Sequence, residues 1–240
     1  ACSAAVGFVY GASLFGSTYL VPLFVQTIQG YTPTRAGLLL MPAGLAMVIV
    51  FPIAGRLADR LPPYAPIGVG LLLFGASTWL MTAVGTDTPF WTFALWILVG
   101  RVGFGLAMPS MNAGALRALP PRWVGQGSGA VNFARQFGGA LGVNLLSIHL
   151  ERQTQLYAQA LTATQEGRPV TREVLRRVEG LLAQDGLDEV TRQAVAQDFL
   201  AQMILSQASM LAFRATFLVV ALACLAALVP VAIMSRKTAG

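Results

Sequence analysis

The chain has 240 residues, of which 55% are apolar and 11% charged, with a mean hydropathy of +0.65. Soluble domains carry about 25% charged residues, so this composition excludes an ordinary water-soluble globule and predicts a protein that lives in the bilayer. The formal charge of +6 is not a nucleic-acid signature, because the basic residues are dispersed over loops and not gathered into a patch.

Apolar runs long enough to cross a core of roughly 30 Å occur at 3–26, 37–53, 65–85, 90–115, 125–150 and 210–234, which predicts an all-α polytopic membrane protein, a bundle of six transmembrane helices. The alternating ~10-residue strands of a membrane β-barrel are not visible. The first run continues for 24 residues with no basic leader and no cleavage site, so it does not read as a secretory signal. Position 1 is Ala and not Met, the expectation for a chain that lacks its N-terminal part.

Between the second and third runs, Gly55-Arg56-Leu57-Ala58-Asp59-Arg60 packs three charges into what reads as a tight cytoplasmic turn. Arg56, Asp59 and Arg60 there are candidates for an ion-pair latch, or simply mark topology. The short loops and tail on that side hold Arg56, Arg60, Arg117, Arg122, Arg236 and Lys237, against Arg35 alone in the short loops opposite. This bias predicts cytoplasmic chain ends.

The fifth run is followed by a long connection, so the chain divides into helices over 1–150, an extracytoplasmic loop over 151–207, and a last helix with its tail over 208–240. The loop holds six arginines against eight acids. Val174, Leu175, Val178, Leu181 and Leu182 predict an amphipathic helix after Pro169, and a second starts at an Asp188 N-cap, passes Val190, Ala194, Val195 and Phe199, and runs into the last span. A surface cap, a partner-docking element and a lipid-interface helix all give this pattern. Arg214, one turn inside the last span, reads as an anchor that snorkels to the headgroups.

Two arginines are the strongest candidates for function. Arg101 and Arg135 lie about ten residues inside the fourth and fifth spans, so at about 1.5 Å per residue both reach the bilayer midplane. An arginine at that depth costs ~2.5–3.5 kcal/mol on insertion scales and needs a partner or a watery cavity. Asn112 shares a helical stripe with Arg101, and Asn132 and Gln136 share one with Arg135, which predicts two polar stripes meeting along a substrate path. Phe104, Phe133, Met108 and Met111 are available for apolar walls. No Asp or Glu falls inside any of the six runs, so a proton-binding carboxylate has to come from elsewhere.

Other chemistries find no support. Gly125-Gln126-Gly127-Ser128-Gly129 lacks the strand and the Gly-Lys-Ser/Thr of a phosphate loop, and Lys237 is the only lysine. One histidine, His149, and two unpaired cysteines, Cys2 and Cys224, suggest no metal site, disulfide or protease centre. The chain is expected to be no enzyme.

Several stretches carry a family resemblance. They are Gly55 with Leu57-Ala58-Asp59-Arg60, then Leu20-Val21-Pro22-Leu23-Phe24-Val25-Gln26 with Gly30, and Ala36-Gly37-Leu38-Leu39-Leu40-Met41-Pro42. Further along come Gly127-Ser128-Gly129 to Asn132, and Arg135-Gln136-Phe137-Gly138-Gly139 with Gly142. Together they resemble the C-terminal half of the 14-span drug:proton antiporter subfamily of the major facilitator superfamily, the EmrB/QacA-like carriers.

The resemblance implies one half of a two-bundle, alternating-access fold, with the first, second, fourth and fifth spans lining the cavity and the third and sixth packed outside. It implies a proton-coupled multidrug efflux antiporter of the bacterial inner membrane with a cytoplasmic C-terminus. Such a carrier uses a proton gradient and no cofactor, and its partners are the lipid bilayer, small amphipathic substrates, the missing N-terminal half and, in some members, a periplasmic adaptor. Leu61-Pro62-Pro63 departs from the Gly and basic residues that usually follow the Asp-Arg pair. Two alternatives stay open: a carrier of the same fold for a narrower anionic metabolite or siderophore, and a non-transporting membrane scaffold or receptor.

Overall fold

In a bilayer the peptide groups of an apolar segment can only pair with one another, and a helix does so within a single segment. The structure, a computed structural model, describes residues 2–117, 120–165, 173, 175–177, 179, 180 and 188–238, and among them there is no strand. The helices are α1 (Cys2–Thr27), α2 (Pro33–Arg60), α3 (Tyr64–Leu80), α4 (Phe90–Arg117), α5 (Val124–Gln165), α6 (Glu189–Ala226) and α7 (Leu228–Thr238), with 3-10 turns at Met81–Ala83 and Pro121–Trp123. Residues 173, 175–177, 179 and 180 are also helical, and Arg177 pairs with Glu173 across one turn at 3.2 Å. Val174, Val178, Leu181 and Leu182, expected on the apolar face there, lie outside the described residues.

Five stretches are long and apolar enough to cross a membrane: Ala5–Thr27, Pro33–Arg60, Tyr64–Ala83, Phe90–Gly114 and Glu189–Ile233. The run expected as a fifth span of six is present as α5, a helix of 42 residues, but it is not among them. Gln126, Asn132, Arg135, Gln136 and Asn144 interrupt its apolar sequence with polar side chains at helical spacing.

The charged run 55–60 is not a turn. It forms the last turns of α2, because nothing before Pro62 and Pro63 breaks the helix, and Leu61 closes it with an N–H bond to the Leu57 carbonyl at 2.9 Å. At the other end of α2, Thr32 accepts the Arg35 N–H at 3.3 Å and Pro33 opens the first turn. Gly30, at φ +65°, supplies the left-handed residue that ends α1, and the Tyr31 N–H reaches back to the Val25 carbonyl at 3.0 Å.

The chain divides into two compact units, Ala1–Ile148 with Arg214–Gly240, and His149–Phe213. In the first, the core is built from side chains with almost no exposure, among them Leu20, Phe24, Leu39, Phe93 and Phe217. Phe24 meets Phe93 and Phe217 edge-on, with ring centroids 5.7 and 6.4 Å apart. Two helix pairs touch backbone to backbone. A Cβ on Gly103 of α4 would stand 2.6 Å from the Gly70 carbonyl of α3, and one on Gly138 of α5 would collide with the Phe8 backbone of α1. Gly142 faces Ala12 in the same α1–α5 seam, the close approach that small residues permit in membranes.

Arg214 does not snorkel. Its Nε donates to the Val84 carbonyl at 2.7 Å, so it closes the 3-10 turn that follows α3. Gln29 reaches the same corner from the end of α1 and donates to the Gly85 and Thr88 carbonyls at 3.1 and 3.2 Å. The helix expected from Asp188 is confirmed, since α6 runs unbroken for 38 residues and Asp188 Oδ2 accepts the Thr191 N–H at 3.3 Å. The last span is interrupted once, at Ala227, and Pro230 falls in the first turn of α7, where its missing N–H costs nothing.

Candidate functional site

Arg101 projects from α4 into an open cavity of about 360 Å³ between α1, α2 and α4. Leu14, Phe15 and Thr18 form the α1 wall, Leu40, Ala43, Gly44 and Met47 the α2 wall, and Phe104 lies one turn from Arg101 on α4. The sequence builds the space by alternating bulk with its absence. Gly44 and Ala43 keep α2 slim there, and Gly105 lets α4 approach Met47 and Val50, whose nearest atoms would stand 3.0 and 2.6 Å from a Cβ at that position.

The guanidinium is held by one neighbour. Arg101 Nη2 donates to Thr18 Oγ1 at 2.8 Å, and the Thr18 hydroxyl in turn donates to the Leu14 carbonyl at 2.8 Å. Beneath it Tyr10 stacks on Phe104 with centroids 4.4 Å apart and donates its hydroxyl to the Phe104 carbonyl at 2.8 Å, pinning α1 to α4.

Arg135 is placed differently. Its Nη2 donates to Asn132 Oδ1 on its own helix, while its Nη1 is buried and makes no hydrogen bond among the described residues. Asn132 and Gln136 are exposed and Asn112 is half-buried, and none of the three lines the Arg101 cavity. The structure therefore brings Arg101 to Thr18 and Arg135 to Asn132.

Among the apolar candidates, Phe104 lines the cavity, Met111 is buried in the core, and Phe133 is 68% exposed and stacked in parallel on Phe137 at 5.7 Å. Thr18, Tyr10 and Met47 escaped the sequence reading. A signal was present in α1, where Tyr10, Ser13, Ser17 and Thr18 set hydroxyls at helical spacing in an otherwise apolar segment.

Arg56, Asp59 and Arg60 are exposed on the last turns of α2, where their i, i+3, i+4 spacing puts them on one face. Arg117, Arg236 and Lys237, the remaining basic residues expected at that membrane face with Arg122, have side chains outside the described residues. Arg122 is exposed beside Trp123, with its guanidinium carbon 5.8 Å from the ring centroid.

Five apolar helices of spanning length with an arginine-bearing cavity between three of them define a multi-pass membrane protein. Residues 3–143 match the Major Facilitator Superfamily, and the chain belongs to that family. It is 31% identical over 169 residues to the uncharacterized MFS-type transporter YhcA of Bacillus subtilis, covering 70% of this chain and 32% of that protein. It is 33% identical over 149 residues to the methylenomycin A resistance protein of Streptomyces coelicolor, covering 60% and 30%. With the multidrug resistance protein B homolog of Mycobacterium tuberculosis the identity is 28% over 147 residues, covering 60% and 27%. The match thus spans about a third of the length of these relatives.

Proposed function

We propose that this chain is the C-terminal bundle of a proton-coupled multidrug efflux antiporter of the bacterial plasma membrane, working by alternating access with its C-terminus in the cytoplasm. The observation that carries the reading is the cavity between α1, α2 and α4, whose apolar walls surround a single charged side chain, Arg101. A space of that kind suits loosely recognised amphipathic compounds, with Met47 and Phe104 adapting to varied shapes. The resistance and multidrug names of the relatives support the same direction of transport.

The lipid bilayer is the chain's surroundings, and the other six-helix half is its obligatory partner, with a periplasmic adaptor as an accessory. The only acids outside the 151–207 loop are Asp59, in the last turn of α2, and Asp87, in the turn before α4, so the proton-binding carboxylate belongs to the other half. The buried, unpaired Nη1 of Arg135 supports a role in meeting an acceptor from that half or from substrate, with Asn132 holding its other arm and Gln136 and Asn112 extending the path. Arg56, Asp59 and Arg60 act at the end of α2 as a latch on one of the alternating states.

Arg135→Ala in the complete protein is the test. It abolishes export of the protein's amphipathic substrates from cells while the protein still reaches the membrane in normal amount; export at the wild-type rate would remove Arg135 from the mechanism.

A further inference from the structure

The Arg101 cavity carries information about what it selects. A guanidinium has five N–H donors and no acceptor, and among the described residues Arg101 uses only the bond to Thr18. The lining contributed by the described residues contains no acid, so Arg101 is its one formal charge and disfavours a cationic head beside it. Thr18 has its proton committed to the Leu14 carbonyl, which leaves its oxygen lone pair to hold Arg101 against the α1 wall and present the rest of the planar fork to the space. Around that fork Leu14, Phe15, Leu40, Met47 and Phe104 offer only apolar surface.

We propose that this cavity selects amphiphiles that join an apolar ring system to an anionic acceptor group, a carboxylate or enolate, which Arg101 binds and which Thr18 governs as a positioning residue. The inference rests on the reading of this cavity as the substrate path and narrows it, since a path for indifferent amphiphiles needs no preference of charge. The planar fork favours a planar two-oxygen acceptor over a point-like one.

Fluorescein and rhodamine 123 test it, because they share a xanthene body and differ in charge. Binding of each dye to the complete transporter, purified in detergent, is followed by fluorescence anisotropy. Fluorescein binds the tighter of the two. Arg101→Met weakens fluorescein by roughly tenfold to a hundredfold, the range for a lost hydrogen-bonded charge, with less than about a twofold change for rhodamine 123. Thr18→Val weakens fluorescein by about tenfold and Thr18→Ser, which keeps the hydroxyl, restores it. A merely structural threonine would affect both dyes alike.

Equal binding of both dyes, no fluorescein binding, or fluorescein binding that Arg101→Met leaves unchanged each overturns the proposal; the last would mean that a carboxylate of the other half occupies the guanidinium. Transport separates this inference from the reading beneath it. Fluorescein bound but never moved would sink the exporter and spare the selectivity, whereas rhodamine 123 exported without fluorescein binding would do the reverse.

Discussion

Arg214 shows how a charged residue inside a spanning helix can be structural. It donates to a carbonyl that the 3-10 turn leaves open, and a charged donor there is worth about 1.5–3 kcal/mol. Arg214→Met keeps the apolar stem and removes that bond, so the detergent-solubilised protein should lose about 1–2 kcal/mol in thermal unfolding, with no change in dye selectivity. An unchanged melting profile would return Arg214 to the role of lipid anchor. Spacing alone gives depth and not partner, which is why the Val84 carbonyl that holds Arg214 could not be read from the sequence. Asp188 offers a second test at this scale. The Thr191 side chain and backbone N–H hold its carboxyl below the usual value of 3.8. A depressed folded-state pKa stabilises the first turn of α6 above the unfolded value and loses that contribution as pH falls through the folded one. Hydrogen exchange at Thr191 and Arg192 should therefore accelerate, relative to Asp188→Asn, as pH drops below the ordinary carboxylate range; parallel pH profiles for the two proteins would refute the cap's titration.

At the scale of helices, the seam between α1 and α5 is the contact on which the placing of Arg135 depends. A Cβ on Gly11 would strike the Arg135 carbonyl, and one on Gly138 would strike Phe8. Gly138→Val must therefore push the two helices apart, at about 1–3 kcal/mol, and should lower both the thermal midpoint and transport, whereas Gly44→Ala, with nothing within 4 Å of its Cβ, should leave the midpoint unchanged. Equal midpoints for the two variants would show that the seam is looser than drawn. Existence and order of the helices could be read from the chain because apolar runs of spanning length have few other fates. The end of α2 was misplaced because charge was taken as a sign of a turn, although a helix emerging from the bilayer carries charge readily and only Pro62 and Pro63 stop it. α5 is the converse case: Asn132, Arg135, Gln136 and Asn144 make it less apolar than its companions, and a helix so patterned needs a neighbour or water along its polar face.

For the whole molecule, family and fold were legible because composition, charge bias and several short motifs agreed, whereas the cavity was not, since its walls come from residues about 25 to 90 positions apart that only the packing of α1, α2 and α4 brings together. The sequence placed Arg101 and Arg135 each on a polar stripe, and packing gives each an oxygen partner, Thr18 for Arg101 and Asn132 for Arg135. The bundle matches about a third of the length of its relatives, so its mechanism is a property of the assembled transporter. The most direct measurement is made on that assembly in proteoliposomes, with a pH gradient imposed across the membrane and movement of a xanthene dye followed with time. The account predicts gradient-driven fluorescein accumulation by the wild type and a rate at least about tenfold lower for Arg101→Met at equal reconstitution. Accumulation at the same rate in both would contradict it.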